Sequence, residues 1–320
     1  MFYLFLFSLS FFLTYLIKNY AIKKSILAHI NERSSHAVPT PHGGGIAIAF
    51  SWFIGLFYLY LTTQIEPNLF YALLFGVVIS LVGLFDDIYE LSPKIRLLIH
   101  AVAAFGGLYS LGGFHALTFG AFEIQNIVAT NLFAFFMIIW FVNLYNFLDG
   151  INGYAGSEAI FLSLAGFLLF GGDHFLVLSV AVLGFLVWNF HNAKIFMGDV
   201  GSTLLGYNVA IFTIFYANQE ALDFWVWMVL FGLFWVDATL TLLRRKANGE
   251  KLSLAHKKHA YQRLVQAGWS HTKVTTYAMG LNILLFCIVY FTQSILLSFF
   301  MMLLLLYGVI KFVDKKKNFL

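Results

Sequence analysis

Apolar stretches of bilayer-spanning length dominate this sequence. They run near residues 2–17, 44–62, 69–85, 96–112, 127–147, 156–171, 174–191, 202–217, 224–243, 274–292 and 294–311. A chain so patterned cannot hide its side chains inside a water-soluble globule. It is 61% hydrophobic and only 11% charged, against about a quarter charged in an ordinary soluble domain. The expectation is a single all-α, polytopic integral membrane domain over residues 1–320, with about 11 transmembrane helices. Phe2 to Ile17 has no basic residue before it and no small-residue cleavage site after it, so it reads as a retained first span. The single cysteine, Cys287, leaves no disulfide framework and no CxxC metal site.

Charge placement orients the chain. All 19 Lys and Arg fall on alternate connections or on the helix ends that border them: Lys18 to Arg33, Lys94 and Arg96, Lys194, Arg244 to Lys273, and Lys311 to Lys317. The opposite connections carry Glu66, Glu123, Asp173, Glu220 and Asp223 instead. Basic loops stay in the cytoplasm, so the N-terminus is expected outside and the C-terminus inside. The net charge of +4 follows from that asymmetry and needs no nucleic-acid partner.

Unusual polar residues collect in the basic loops, near 18–43, 86–95, 146–156, 190–202 and 244–273. The first contains PTPHGGG, a turn able to bring backbone close to an anionic ligand. The second places Asp86 and Asp87 side by side at a helix end, where mutual repulsion suits a cation or a proton relay as well as a solvated cap. In NLYNFLDGINGYAG, the i, i+3, i+6 spacing of Asn143, Asn146 and Asp149 lines oxygen ligands along one side of a helix end. Hard oxygen donors suit Mg²⁺. NFHNAKIFMGDVGS sets Asp199 between glycines before another helix, so that a carboxylate and backbone amides face one point.

Asp237 lies within the apolar run LFWVDATLTLL, where a charge is costly without a partner or a wet cavity. It is either functional or a hydrogen-bonded strut between helices. In the last loop, residues 254–266 are expected to form a short amphipathic helix. His256 and His259 would be neighbours on it, with Arg263 one turn on, able to clamp a pyrophosphate or rest on anionic headgroups.

Five loops in this order resemble the polyprenyl-phosphate N-acetylhexosamine-1-phosphate transferases of glycosyltransferase family 4. The resemblance runs from PTPHGGG through Asp86-Asp87, NxxNxxDG and FMGDVGS to the histidine loop. It implies transfer of a sugar 1-phosphate from a UDP-N-acetylhexosamine to undecaprenyl phosphate at the inner face of a bacterial plasma membrane. Mg²⁺, or Mn²⁺, would be the cofactor, and the product would initiate O-antigen or other surface polysaccharide. By resemblance Asp199 is the metal ligand, with Asn146 close to the ion. Asp86 or Asp87 activates the lipid phosphate, and Asp149 shares the polar cluster. The resemblance would also have Phe196 stack on uracil and Asn189 contact the nucleotide, and His259 is the one histidine in register with the family. His256 and Arg263 would contact pyrophosphate, and a homodimer is compatible with all of this.

The chain departs from its relatives in HKKHAYQ, in Glu90 after the paired acids, and in Asn152 where the second Asp of DGIDG would stand. Two rivals remain in view. One is the same chemistry on a muramoyl-pentapeptide donor. The other is a secondary transporter, which should concentrate polar residues at the midplane, whereas the acids here crowd one edge.

Overall fold

A computed structural model describes residues 1–24, 40–89, 91–120, 122–252, 254 and 256–319. Most of the first basic loop and Glu90 therefore lie outside the described residues. Among the described residues the helices are α1 (Phe2–Lys23), α2 (Gly45–Leu61), α3 (Pro67–Leu74), α4 (Gly76–Tyr89), α5 (Pro93–Ser110), α6 (Ile127–Phe147), α7 (Tyr154–Phe170) and α8 (Asp173–Asn189). They continue as α9 (Asp199–Gln219), α10 (Asp223–Leu230), α11 (Gly232–Ala247), α12 (Ala260–Gln266), α13 (His271–Phe291) and α14 (Ile295–Lys316). An antiparallel hairpin, β1 (Leu117–Phe119) and β2 (Phe122–Ile124), is the small exception to an all-helical chain, pairing Thr118 with Glu123.

Several helices begin where local chemistry predicts. Ser92 Oγ accepts from Ile95 N–H with Pro93 following, and Asn126 Oδ1 accepts from Val128 and Ala129 N–H, satisfying first-turn donors that otherwise lack partners. Each of the eleven apolar stretches is helical, but not each is a long straight span. Six segments are long and apolar enough to cross a bilayer, the α3–α4 pair counting as one. The pair α10–α11, bent by 73°, makes a seventh; α2, α7 and α8 are shorter apolar helices.

Helix α9 is the axis of the bundle, its apolar length wholly enclosed by protein. It packs against α2, α3, α4, α6 and α10. Lipid is as apolar as leucine, so close van der Waals fit and internal hydrogen bonds, more than water exclusion, hold such helices together. Tyr207 of α9 illustrates this: its buried hydroxyl donates to the Ala72 carbonyl at 2.8 Å, tying α9 to α3. Outward-facing Leu98, Phe105 and Tyr109 on α5 remain exposed, as expected for side chains solvated by lipid.

Connections gather at two ends. At one, Phe196 N–H donates to Pro41 O, Gly153 N–H to Asn189 Oδ1, and Tyr261 hydroxyl to Phe147 O. At the other, His115 N–H donates to Asn218 Oδ1 and Trp225 Nε1 to Thr118 O. The described parts of all five polar loops thus meet at one end, while the acidic connections occupy the other.

Candidate active site

The N-terminus of α9 organises the polar end. Asp199 is its first residue, and its main-chain N–H donates to Asp87 Oδ1 at 3.1 Å. Asn146 Nδ2 donates to Asp199 Oδ1 at 2.8 Å and to Ser202 Oγ at 3.0 Å, fixing the carboxylate from the α6 side. Arg96 Nη1 lies 2.7 Å from Asp86 Oδ2 and 3.6 Å from Asp199 Oδ2, bridging acids from α4 and α9. Asp86 Oδ1 also accepts from Leu91 N–H at 2.7 Å. His42, from the HGGG turn, places Nδ1 3.9 Å from Asp87 Oδ1.

Two glycines make this approach feasible. A side chain on Gly83 would meet Val200 N at 2.5 Å and Asp199 C at 2.6 Å, so only a glycine lets α4 reach the start of α9. Gly198 sits at φ +77°, and its missing Cβ would lie 2.5 Å from Asp87 Oδ2. The result is a cleft of about 20 Å³ lined by Asp86, Arg96, His100, Asn143, Asn146, Asp199 and Thr203, room for about one water or ion.

Asp149 stands just beyond the end of α6, not on it, so the i+6 alignment expected of a continuing helix does not form. Burial, reinforced by Asp199 and Asp87, pushes its carboxyl well above the usual carboxylate range. Several acids answered mainly by one guanidinium form a site that welcomes further positive charge. Asp87 Oδ2 is buried with no hydrogen-bond partner, an acceptor open to a cation or a proton. No group of three or more His, Cys, Asp and Glu among the described residues is arranged to hold an ion by itself. The oxygen donors of Asp87, Asp199 and Asn146 that meet here have the hard chemistry of Mg²⁺ ligands, an ion that commonly keeps waters and takes phosphate oxygens as well.

The histidine loop closes on the same end. Its helix, α12, starts only at Ala260 and not near residue 254, because Asp237 caps it there: both carboxylate oxygens accept from Ala260 N–H, at 2.9 and 3.0 Å. The intramembrane acid is thus a strut, and Thr241 Oγ1 adds a third hydrogen bond at 3.1 Å. His259 is buried, its Nδ1 3.7 Å from Asp237 Oδ1, and its ring stacks on Phe147 of α6 with centroids 6.2 Å apart. His256 is its neighbour as expected, at 4.9 Å between ring centroids, but across an extended segment. Burial, with His259 and Arg245 nearby, lowers the His256 imidazole to about 4, leaving it neutral at pH 7. Glu250, hydrogen-bonded by Lys258 and Arg245, is held below the usual carboxylate range.

Other expected contacts lie elsewhere. The buried guanidinium of Arg263 bonds Asp314 Oδ1 at 2.7 Å and the Lys317 carbonyl, tying α12 to α14, which corrects its expected place facing pyrophosphate. Asn189 is buried, accepting from Gly153 N–H and donating to Ile195 O, so it braces two loops where a nucleotide contact was expected. Asn143 Nδ2 bonds back to Ile139 O at 2.7 Å but still lines the acidic cleft. Phe196 is half-buried, with its main chain stitched to Pro41 and Gly44. Asn152, in place of the second Asp, donates through Nδ2 to His191 O and joins that loop to the end of α8. Sequence reasoning missed Arg96 and His100 as cleft residues and His42 as a neighbour of Asp87. Arg96 and His100 fall at i and i+4 on α5, a one-face spacing that was available in the sequence but masked by the apolar run around them.

The fold and this cluster define a mostly helical, multi-pass membrane protein with an acidic site at one end. Residues 69–217 match the sequence profile of glycosyl transferase family 4. A probable undecaprenyl-phosphate N-acetylglucosaminyl 1-phosphate transferase of Bacillus subtilis (strain 168) is 30% identical over 310 residues, covering 92% of this chain and 85% of that protein. An undecaprenyl-phosphate alpha-N-acetylglucosaminyl 1-phosphate transferase of Thermotoga maritima is 32% identical over 201 residues, covering 62% of this chain and 60% of that protein. A phospho-N-acetylmuramoyl-pentapeptide-transferase of Streptococcus pneumoniae is 30% identical over 280 residues, covering 77% and 82%. The chain belongs to glycosyl transferase family 4.

Proposed function

We propose that this protein transfers an N-acetylhexosamine 1-phosphate from a UDP-sugar to undecaprenyl phosphate, releasing UMP, as the initiating step of O-antigen or other surface polysaccharide synthesis. The observation that carries the reading is the meeting of Asp87, Asp199, Asn146 and Arg96 at the start of α9, at the end where the basic loops gather. The chain crosses a bacterial inner membrane eleven times, with the N-terminus outside and this end in the cytoplasm. Beside the six or seven long apolar spans, this count takes in the shorter apolar helices α2, α7 and α8, and α5.

The acceptor phosphate docks outside the small cleft on the Arg96 side, where the guanidinium offsets its charge against the acids. Asp87 takes the acceptor's proton on its unpartnered Oδ2. An acceptor oxygen then bonds to the β-phosphorus, the bond from that phosphorus to the bridging oxygen breaks, and UMP carries the oxygen away. The N-terminus of α9 presents backbone N–H groups and a positive dipole end to the phosphates. His256 donates a neutral hydrogen bond to the leaving side, while His259, seated on Asp237 and Phe147, positions the loop. Asp199, oriented by Asn146, would hold Mg²⁺ or Mn²⁺, which when bound supplies charge neutralisation on the pyrophosphate.

The test is UMP release by detergent-purified protein with undecaprenyl phosphate, a panel of UDP-N-acetylhexosamines, and Mg²⁺ or EDTA. Lipid-dependent, EDTA-sensitive release is expected. No release from folded protein with any donor would overturn the assignment. The pneumococcal relative favours including UDP-N-acetylmuramoyl-pentapeptide in the panel, and turnover of that donor alone would move the protein to peptidoglycan synthesis.

A further inference from the structure

We propose that the cavity enclosed by α11, α12, α13 and α14 binds an acyl chain of an anionic membrane phospholipid, with the headgroup phosphate held at its mouth by Lys273 and Lys316. The cavity is distinct from the acidic cleft, with which it shares no lining residue. Its volume is about 180 Å³, and the walls include Leu233, Leu264, Ala278, Leu281, Leu306 and Ile310. Apolar cavities of roughly 150 Å³ stay dry and take up hydrocarbon. Asp237 reaches the wall, where both carboxylate oxygens accept from Ala260 N–H and Oδ1 also accepts from Thr241 Oγ1.

The mouth has the chemistry of a membrane interface. Trp269 lies 5.2 Å from Tyr277 and 6.1 Å from Phe312 between ring centroids, and all three residues line the cavity. Lys273 Nζ stands 4.3 Å from the Trp269 ring centre and Lys316 Nζ 5.5 Å from that of Phe312. Both lysines are exposed, and neither forms a salt bridge with a described residue. Two ammonium groups over an aromatic rim, with hydrocarbon walls beneath, complement a phosphate joined to an acyl chain. Helices α13 and α14 are among the least enclosed spans of the bundle, leaving the cavity a lateral approach from lipid. A phospholipid fits better than the polyprenyl acceptor, whose phosphate belongs beside the acidic cleft.

The experiment uses full-length protein in phosphatidylcholine vesicles containing a phosphatidylglycerol probe with a diazirine at the acyl terminus, with peptide mapping after irradiation. Label is expected within residues 269–281 and 306–313, competed by unlabelled phosphatidylglycerol and not by phosphatidylcholine or undecaprenyl phosphate. The double variant Lys273→Ala/Lys316→Ala should lower it about tenfold or more, each lysine near an anionic headgroup counting for about a factor of five. Ala278→Phe should fill the cavity and remove the label. If that variant fails to fold, the surface double variant decides. Equal labelling by a phosphatidylcholine probe overturns the headgroup site. Displacement by undecaprenyl phosphate assigns the cavity to the acceptor's tail, and label confined to other segments removes the site altogether.

Discussion

The main-chain N–H of Asp199 donates to the Asp87 carboxylate at 3.1 Å, so one acid of the cluster anchors the backbone of another. Asp87 is thus an acceptor that docks α9 on α4, and in the proposed reaction it is also the base. Asp87→Asn keeps an oxygen for the docking bond and removes the base. Its UMP-release rate should fall about 10²-fold or more with little change in thermal unfolding. Asp87→Ala should lower both. Equal stability loss in the two variants would mean that the charge, and not the acceptor, holds the helices together.

Arg96 occupies the place of a counter-cation between Asp86 and Asp199. Arg96→Gln leaves those carboxylates more negative, so the half-saturating Mg²⁺ concentration should fall severalfold while turnover falls about tenfold or more. A Mg²⁺ titration of UMP release reads both. An unchanged Mg²⁺ requirement would separate the guanidinium from the metal site.

Gly83→Ala would push a methyl group into the backbone at Asp199 and Val200, which cannot yield as a flexible side chain can. The expected cost is about 1–3 kcal/mol of stability, with activity lost in proportion to the displaced Asp199. Thermal unfolding and turnover on the same preparation check it; a fully stable, fully active variant would show that α4 can retreat from α9.

Asp237 distinguishes a strut from a catalytic acid. Asp237→Asn retains one acceptor for Ala260 N–H, whereas Asp237→Leu retains none. A strut gives a graded rise in KM for the UDP-sugar, modest for Asn and severe for Leu. Loss of kcat to the same floor in both variants would mark the carboxylate as a participant.

His256 sets a pH window. Its imidazole is lowered from 6.5 to about 4 in the fold, so as pH falls below 6.5 the unfolded chain takes up a proton that the folded chain refuses. Stability linked to this group is full above that range and declines between about pH 6.5 and 4. The melting temperature of the wild type should drop more steeply across that window than that of His256→Gln, and parallel curves would relocate the acid sensitivity to other groups.

Much of this architecture was legible because bilayer length and charge asymmetry are strong, low-order signals. Every apolar stretch is helical, and the described residues of the five polar loops do share one end. What escaped were features set by tertiary contact. Residues 254–259 look helical by pattern, yet the helix waits for the Asp237 cap, a partner from an element that ends before the loop begins. Arg263 looked like a free cation because Asp314, fifty-one residues on, cannot be paired with it by local spacing. The same blindness hid Arg96, whose meaning depends on two carboxylates arriving from different helices. Asn189 shows the converse, since a polar residue near a motif became a buried brace between loops.

The full enclosure of α9 means that its 21 residues, about 30 Å end to end, can move only as a rod. Asp199 at one tip is mechanically continuous with Asn218 at the other, where it clasps the Gly113 carbonyl and the His115 amide. Strain applied on the distant side of the bilayer, by a ligand or by crowded lipid, would reach the acid cluster as a displacement along the rod's axis.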